Sequence, residues 1–220
     1  MATTEPPAPS PNAGRMRVHW WWRPGWRPGR RLYTWHLTFD GESDLHRLTR
    51  LYQARLQVPG FDLVPPAWLH LTMQGIGFTD EVSEQEVRRV ARTAAERCER
   101  VAPFALTLGP AYVEAEGILL PVSPAQPVRR LRAALREAVA RVRGADRVPD
   151  PADGFLPHVS LGYSNADGPA APMVELMASI EPRVATVAVH AAQLIVLERD
   201  THLYHWRTFA TTPLLGTPSV

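Results

Sequence analysis

The sequence predicts an α+β fold with largely antiparallel sheets. Three observations carry that expectation. Amphipathic helical stripes are separated by adjacent pairs of strand-like segments instead of alternating with single strands, which argues against a doubly wound parallel sheet. The strand-like segments are short and bounded by Gly and Pro. A chain of 220 residues, 45% hydrophobic and 21% charged, can bury a real core yet is short for a multidomain enzyme, so one domain or two small lobes is expected.

Residues 1–14, rich in Pro, Ala and Thr and without periodicity, read as a disordered tail. Residues 15–31 form a Trp/Arg-rich extension in which Trp20, Trp21, Trp22 and Trp26 interleave with Arg around two Pro-Gly turn signals, an irregular segment lying on the body. The domain itself runs from 32 to 215. Residues 32–39 alternate at strand period, with Tyr33, Trp35, Leu37 and Phe39 on one face and Thr34, His36 and Thr38 on the other. Leu45, Leu48, Leu51, Tyr52 and Leu56 then recur at helical spacing until Pro59-Gly60. A second strand is expected over about 68–74. The Ser83 to Glu86 capping box opens a helix whose stripe is Val87, Val90, Ala94, Cys98 and Val101. Short strands at 104–108, 111–115 and 117–122 precede an Arg-rich helix that starts near Pro127 and ends near 143, with Val128, Leu131, Leu135, Val139 and Val142 inward. After a polar loop at 144–157 come a strand at 158–163, a helix near 171–180, and strands near 184–190, 192–198 and 203–210.

Composition removes several classes of function. No apolar run approaches the ~18 residues of a membrane helix, and the N-terminus lacks a basic-then-apolar secretory pattern, so no membrane partner and a cytoplasmic location are expected. Cys98, the single cysteine, reads as a small buried helix residue and allows no intramolecular disulfide or thiolate cluster. All 24 basic residues are Arg; without lysine there is no lysine-adenylate ligation and no phosphate loop of the G-x-x-x-x-G-K-[ST] type. Neither H-E-x-x-H nor G-x-S-x-G occurs, and no metal site is expected. Residues 1–31 carry six Arg against Glu5, leaving 18 basic and 21 acidic residues in the remainder. A basic arm that meets polyanions on a body without a DNA-binding charge signature follows, and DNA is not an expected partner.

The chemistry should lie in two short strands. His70-Leu71-Thr72 and His158-Val159-Ser160 repeat one pattern 88 residues apart. Period two puts each His beside its hydroxyl residue, with Leu71 and Val159 turned inward. Two imidazoles can divide the roles of base and acid near neutral pH, and two hydroxyls can donate to non-bridging phosphoryl oxygens as these gain charge. A single His on a strand is more often a satisfied core or surface group, so the repeat carries the signal. His36-Leu37-Thr38 is a third copy on the opening strand and ranks below the other two; its side chain is a candidate to line the groove. Tyr163 and Phe78 are candidates for stacking a base, against the blander reading that both are core. The Trp/Arg segment mixes the groups that hold single-stranded nucleic acid, although three consecutive Trp also suit a cover over a sheet edge. The Arg-rich helix reads most simply as a solvated face. His19, His190, His202 and His205, which lack a repeated partner, read as structural or surface groups.

At this point the sequence resembles the 2H phosphoesterase superfamily, in particular the 2′-5′ RNA ligase-like, or 2′,3′-cyclic phosphodiesterase, proteins. The resemblance spans roughly residues 31–215. It rests on HLTMQGIGF (70–78) and PHVSLGY (157–163), which stand where the family has its two H-x-[T/S]-x signatures, and LIVLERDTHLYHWRTFATTPL (194–214) looks like its final hairpin. The resemblance implies two pseudo-symmetric α+β lobes around a central groove, His70 as general acid, His158 as general base, and Thr72 and Ser160 as phosphate-holding hydroxyls. It further implies a metal-independent, cofactor-free opening of 2′,3′-cyclic phosphates to 2′-phosphates, in some members with reversible 2′-5′ RNA joining. The expected partner is a nucleotide or RNA terminus bearing a cyclic phosphate, and the expected state is a monomer. A noncatalytic RNA-binding protein using the same groove is the first rival, and a metal-dependent hydrolase the second. The Trp/Arg extension departs from many relatives.

Overall fold

The computed structural model describes residues 12–217; the expected disordered tail falls mostly on residues 1–11, outside the described residues. The first half of the chain forms β1 (Arg15–Met16), β2 (Leu32–Thr38), α1 (Ser43–Gln53), β3 (Phe61–Leu63), β4 (His70–Phe78) and α2 (Glu84–Cys98). Next come β5 (Phe104–Leu108), β6 (Tyr112–Glu114), β7 (Gly117–Ser123) and α3 (Ala125–Arg143). The remainder is β8 (His158–Ser164), β9 (Gly168–Pro169), α4 (Ala171–Ala178), β10 (Ala185–Val189), β11 (Ala191–Glu198) and β12 (His205–Pro213). Among the described residues no helix is long and apolar enough to cross a membrane.

The α+β expectation holds, and every strand pairing found among the described residues is antiparallel. One main sheet has the order β12-β11-β2-β4 and the other runs β10-β5-β7-β8-β3, with β6 on β7; β1 and β9 form a separate two-stranded ribbon. The two main sheets meet along β4 and β8, the strands that begin with His70 and His158. In each sheet the motif strand pairs with a neighbour that fixes its register, β2 for β4 and β7 for β8. Helices α2 and α3 pack on each other and cover the first sheet through β12 and β4, while α1 lies on β8 and β10. Val87, Val90, Ala94 and Cys98 of α2 are fully buried, as the helical stripe requires. Ser83 Oγ accepts from the Glu86 N–H at 3.3 Å, the cap read from sequence. Burial pushes the Cys98 thiol up to about 11, so it behaves as an inert small apolar group.

The structure departs from the sequence reading in specific places. The strand expected at 68–74 begins at His70 and continues to Phe78, because residues 75–78 pair with Leu32–Thr34 across a register shift. Residues 66–68 are a short 3-10 turn. The three-residue β3 was not expected. Strand β2 is buried on both faces: Trp35 and Leu37 enter the core, and Thr34 and His36 turn toward the space between the sheets.

The Trp/Arg segment is an irregular strap over both sheets. Asn12 and Ala13, placed by sequence in the tail, are tied to Val113. Both Pro-Gly pairs turn the chain, with Gly25 and Gly29 in the left-handed region (φ +82° and +75°). Trp20 donates to Asp62 Oδ2 (2.8 Å) beside β8, while Arg27 and Arg30 pair with Asp80 (2.7 and 2.8 Å) just beyond β4. Arg31 pairs with Glu198 at 2.9 Å, and Arg23 with Glu116. Four of the segment's six arginines, Arg23, Arg27, Arg30 and Arg31, thus meet carboxylates of the body itself. The consecutive tryptophans do not act as one cover either: Trp20 is buried, whereas Trp21 and Trp22 are about half exposed (47% and 49%).

Candidate active site

A cavity of about 280 Å³ lies where the two sheets and the strap meet. His70 and Thr72 line it from β4, His158, Ser160 and Tyr163 from β8, and His36 from β2. All four residues of the paired motifs therefore open onto one space, with Leu71 and Val159 fully buried behind them as the alternation requires.

Each motif imidazole is oriented in the same way. Nδ1–H of His70 donates to the Trp68 carbonyl at 2.7 Å, and Nδ1–H of His158 to the Leu156 carbonyl at 2.9 Å. A carbonyl can only accept, so Nδ1 holds the proton in each neutral ring and Nε2 carries the lone pair. Desolvation by burial, partly opposed by the Trp68 bond, lowers the His70 pKa to about 4. His158 has a face in solvent but sits among enough protein for desolvation to lower its pKa too, against the raising effects of the Leu156 bond and Glu114. Both rings are thus neutral bases in the unliganded protein at pH 7. Thr72 is exposed to the cavity, while Ser160 is buried and its hydroxyl is hydrogen-bonded to that of Tyr163.

The other sequence candidates separate. Tyr163 lines the cavity with its ring stacked on His19 at 4.1 Å (interplanar 20°), so that face is already taken. Phe78 is not among the lining residues; Arg30 lies over its ring at 3.8 Å and Trp26 meets it edge-on at 5.2 Å. His36 is wholly buried, stacked behind His70 with ring centroids 4.4 Å apart and planes 6° from parallel. It therefore cannot present a face to a base.

Sequence reasoning missed the wall supplied by the strap and the final hairpin. His19, read as structural or surface, lines the cavity with Arg23, Trp26 and Tyr204. Desolvation and Arg23 lower the His19 pKa to about 4, so the ring is neutral; Nδ1–H donates to Glu116 (3.0 Å) and Nε2 accepts from the Tyr204 hydroxyl (2.9 Å). Arg23 donates to Glu116 and to Tyr204, and Trp21 Nε1–H donates to Glu116 at 3.0 Å. Although burial works the other way, the bonds from Trp21 and Arg23 hold the Glu116 carboxyl below its ordinary range. No local motif announces this network, because its members come from three distant parts of the chain.

The Arg-rich helix is likewise more than a solvated face. Arg132 of α3 is buried and donates to three carbonyls, Met73 on β4 (3.0 Å), Pro151 (2.8 Å) and Ala152 (3.0 Å). Arg136 reaches Gln74 Oε1 (3.0 Å) and the Pro149 and Asp150 carbonyls. These bonds anchor the loop that delivers Leu156 and then His158.

One consequence concerns acid. His19 and His70 have native pKa values near 4, below the ordinary 6.5, so the unfolded chain binds these protons more tightly. The stability they contribute is present above about pH 6.5 and is lost as pH falls toward 4. Urea midpoints should decline through that window, and removing either imidazole, as in His70→Gln, should flatten the decline. An unchanged slope in both variants refutes this account.

The antiparallel two-sheet frame and the paired motifs over a shared cavity define a phosphoesterase-like α+β class. The 2′-5′ RNA ligase superfamily model matches residues 33–201, and the chain belongs to that superfamily. No curated protein matches it in sequence. Among solved structures it is similar to TT0787 of Thermus thermophilus, with 23% identity, 85% of this chain and 98% of that one covered, and a TM-score of 0.61. Apo LigT of E. coli gives 17% identity, 83% and 96% coverage and a TM-score of 0.59. A structure described as a phosphoesterase gives 17%, 84%, 98% and 0.62. At these identities the neighbours speak for the fold.

Proposed function

We propose that the protein is a metal-independent phosphodiesterase that opens 2′,3′-cyclic phosphates of nucleotides or RNA ends to 2′-phosphates. The observation that carries this reading is the convergence of His70, Thr72, His158 and Ser160 on one cavity, with both imidazoles held by Nδ1 and each presenting an Nε2 lone pair. Support of a second kind comes from LigT, whose structures include complexes with 3′-AMP and with phosphate. In the reaction one imidazole takes a proton from water, the water oxygen bonds to phosphorus, the P–O3′ bond breaks, and the second imidazole, protonated, gives its proton to O3′. Thr72 and Ser160 donate to the non-bridging oxygens as charge builds on them. With the 5′-hydroxyl of a second RNA end in place of water, the same forward steps join the ends through a 2′-5′ linkage, and their reversal cleaves that linkage back to the cyclic phosphate.

The resemblance assigns the acid to His70 and the base to His158. A specific observation favours the reverse: His70 is the more buried ring, and desolvation keeps it unprotonated, the form a base must have, whereas Glu114 eases protonation of His158. In either assignment the acid must gain its proton as the anionic substrate arrives, since the substrate's charge raises the pKa of a neighbouring imidazole.

The test is turnover of a 2′,3′-cyclic nucleotide in the presence of EDTA, with the product identified. A 2′-phosphate formed at an undiminished rate is expected. Activity that EDTA removes and a divalent ion restores would favour a metal-dependent hydrolase, and RNA binding without turnover a noncatalytic role.

A further inference from the structure

We propose that His36 is a positioning residue whose Nε2–H holds the Thr72 oxygen, so that the Thr72 hydroxyl proton is directed into the cavity toward a phosphoryl oxygen. The proposal deepens the phosphodiesterase reading and rests on it for the identity of the acceptor.

Strand register sets the position of His36. β2 and β4 pair so that His36 lies opposite Thr72, beside the pair of Thr38 and His70, with a register shift between Trp35 and His36. That places the His36 Nε2 at 3.4 Å from the Thr72 Oγ1 and its ring flat against His70. Trp206 closes the arrangement, meeting His36 at 5.4 Å and His70 at 5.3 Å, both edge-on. His36 is entirely buried, and among the described residues its Nδ1 has no hydrogen-bond partner.

A neutral imidazole has one N–H to place. The ring is neutral because burial and the neighbouring His70 lower its pKa well below the ordinary value. With the proton on Nδ1, a buried N–H would lack any acceptor, the rarer and costlier kind of orphan. The Thr72 hydroxyl would then spend its proton on Nε2 and have none for a ligand. With the proton on Nε2, the donor is satisfied by Thr72 Oγ1, only a lone pair is orphaned, and the threonine keeps its own proton for the cavity to which it is exposed. The second motif has no equivalent: Ser160 meets the Tyr163 hydroxyl, which can donate or accept. Of the two phosphate-facing hydroxyls, Thr72 alone has a neighbour that dictates its direction.

Two measurements test this. In protein labelled with ¹⁵N at histidine, the His36 ring, identified by its loss in His36→Gln, should show a protonated Nε2 and a bare Nδ1 between about pH 6 and 8. A protonated Nδ1, or an imidazolium, overturns the proposal. In steady-state kinetics with a 2′,3′-cyclic nucleotide, His36→Met, which fills the space without a donor, should lower kcat about 10–100-fold with KM changed less than about threefold. His36→Gln, whose amide can donate, should recover most of that loss. In a Thr72→Ala background His36→Met should lower kcat less than about twofold further, since its effect passes through the hydroxyl. An equal loss in both backgrounds points to packing alone and overturns the proposal. A wild-type protein that opens no cyclic phosphate defeats the functional reading instead, and the tautomer measurement then decides the role of His36 independently.

Discussion

Replacing His70 or His158 by alanine is expected to lower the rate of cyclic phosphate opening by about 10²–10⁴-fold each, with the fold retained. Each ring projects into the cavity from the start of a strand whose next residue, Leu71 or Val159, enters the core; because the His70 ring also packs on His36 and Trp206, urea unfolding of His70→Ala accompanies the rate measurement. The two variants should diverge on a diester with an activated leaving group such as nitrophenolate. A leaving group that needs no proton rescues loss of the acid but not loss of the base. Rescue confined to His70→Ala supports the assignment implied by the resemblance. Rescue confined to His158→Ala supports the assignment favoured by burial of His70. Equal activity of both variants with wild type on the natural diester would remove the pair from the mechanism altogether.

Arg132→Met is expected to lower stability by about 2–3 kcal/mol and kcat by about tenfold or more. The methionine fills much of the space but leaves the carbonyl of buried Met73 without its charged donor, at roughly 1.5–3 kcal/mol for a charge-assisted bond, while the carbonyls of the exposed Pro151 and Ala152 lose the tether that holds the loop but can turn to water. The loss of rate follows from position: the loop so anchored ends at Leu156, whose carbonyl orients His158. Urea unfolding and steady-state kinetics read the two effects separately. A destabilised variant with wild-type kcat would show that the loop anchor serves the fold and leaves His158 where it was.

The parts of this molecule that were legible in its sequence are those governed by local periodicity. The stripe Val87, Val90, Ala94, Cys98 marked α2, and the alternation in residues 32–39 marked β2 with His36 on the correct face. The repeated His-x-Thr/Ser marked both motif strands, and the structure brings all four residues to one cavity. What was not legible depends on distant partners. Strand β3 is three residues long, too short to alternate visibly, and exists because β8 is there to pair with it. Gly75 and Gly77 lie beyond the expected strand end at 74 yet belong to β4, where a register shift against β2 accommodates them. His19 sits among tryptophans with no motif around it, and its role depends on Glu116 and Tyr204, 97 and 185 positions away. The pairing of His36 with Thr72 likewise depends on an irregular register that no single segment encodes.

The span shared with the superfamily ends at residue 201, before β12 begins at His205, and starts at residue 33, after the strap. β12 pairs with β11 along its whole length and lies at the margin of its sheet. A protein trimmed to the shared span would leave β11 with a row of unsatisfied amide and carbonyl groups open to solvent, a template on which a second molecule could add a strand. The same cut removes His19, Arg23 and Tyr204. Expression boundaries drawn from family homology alone would thus produce a self-associating fragment with an open-sided pocket.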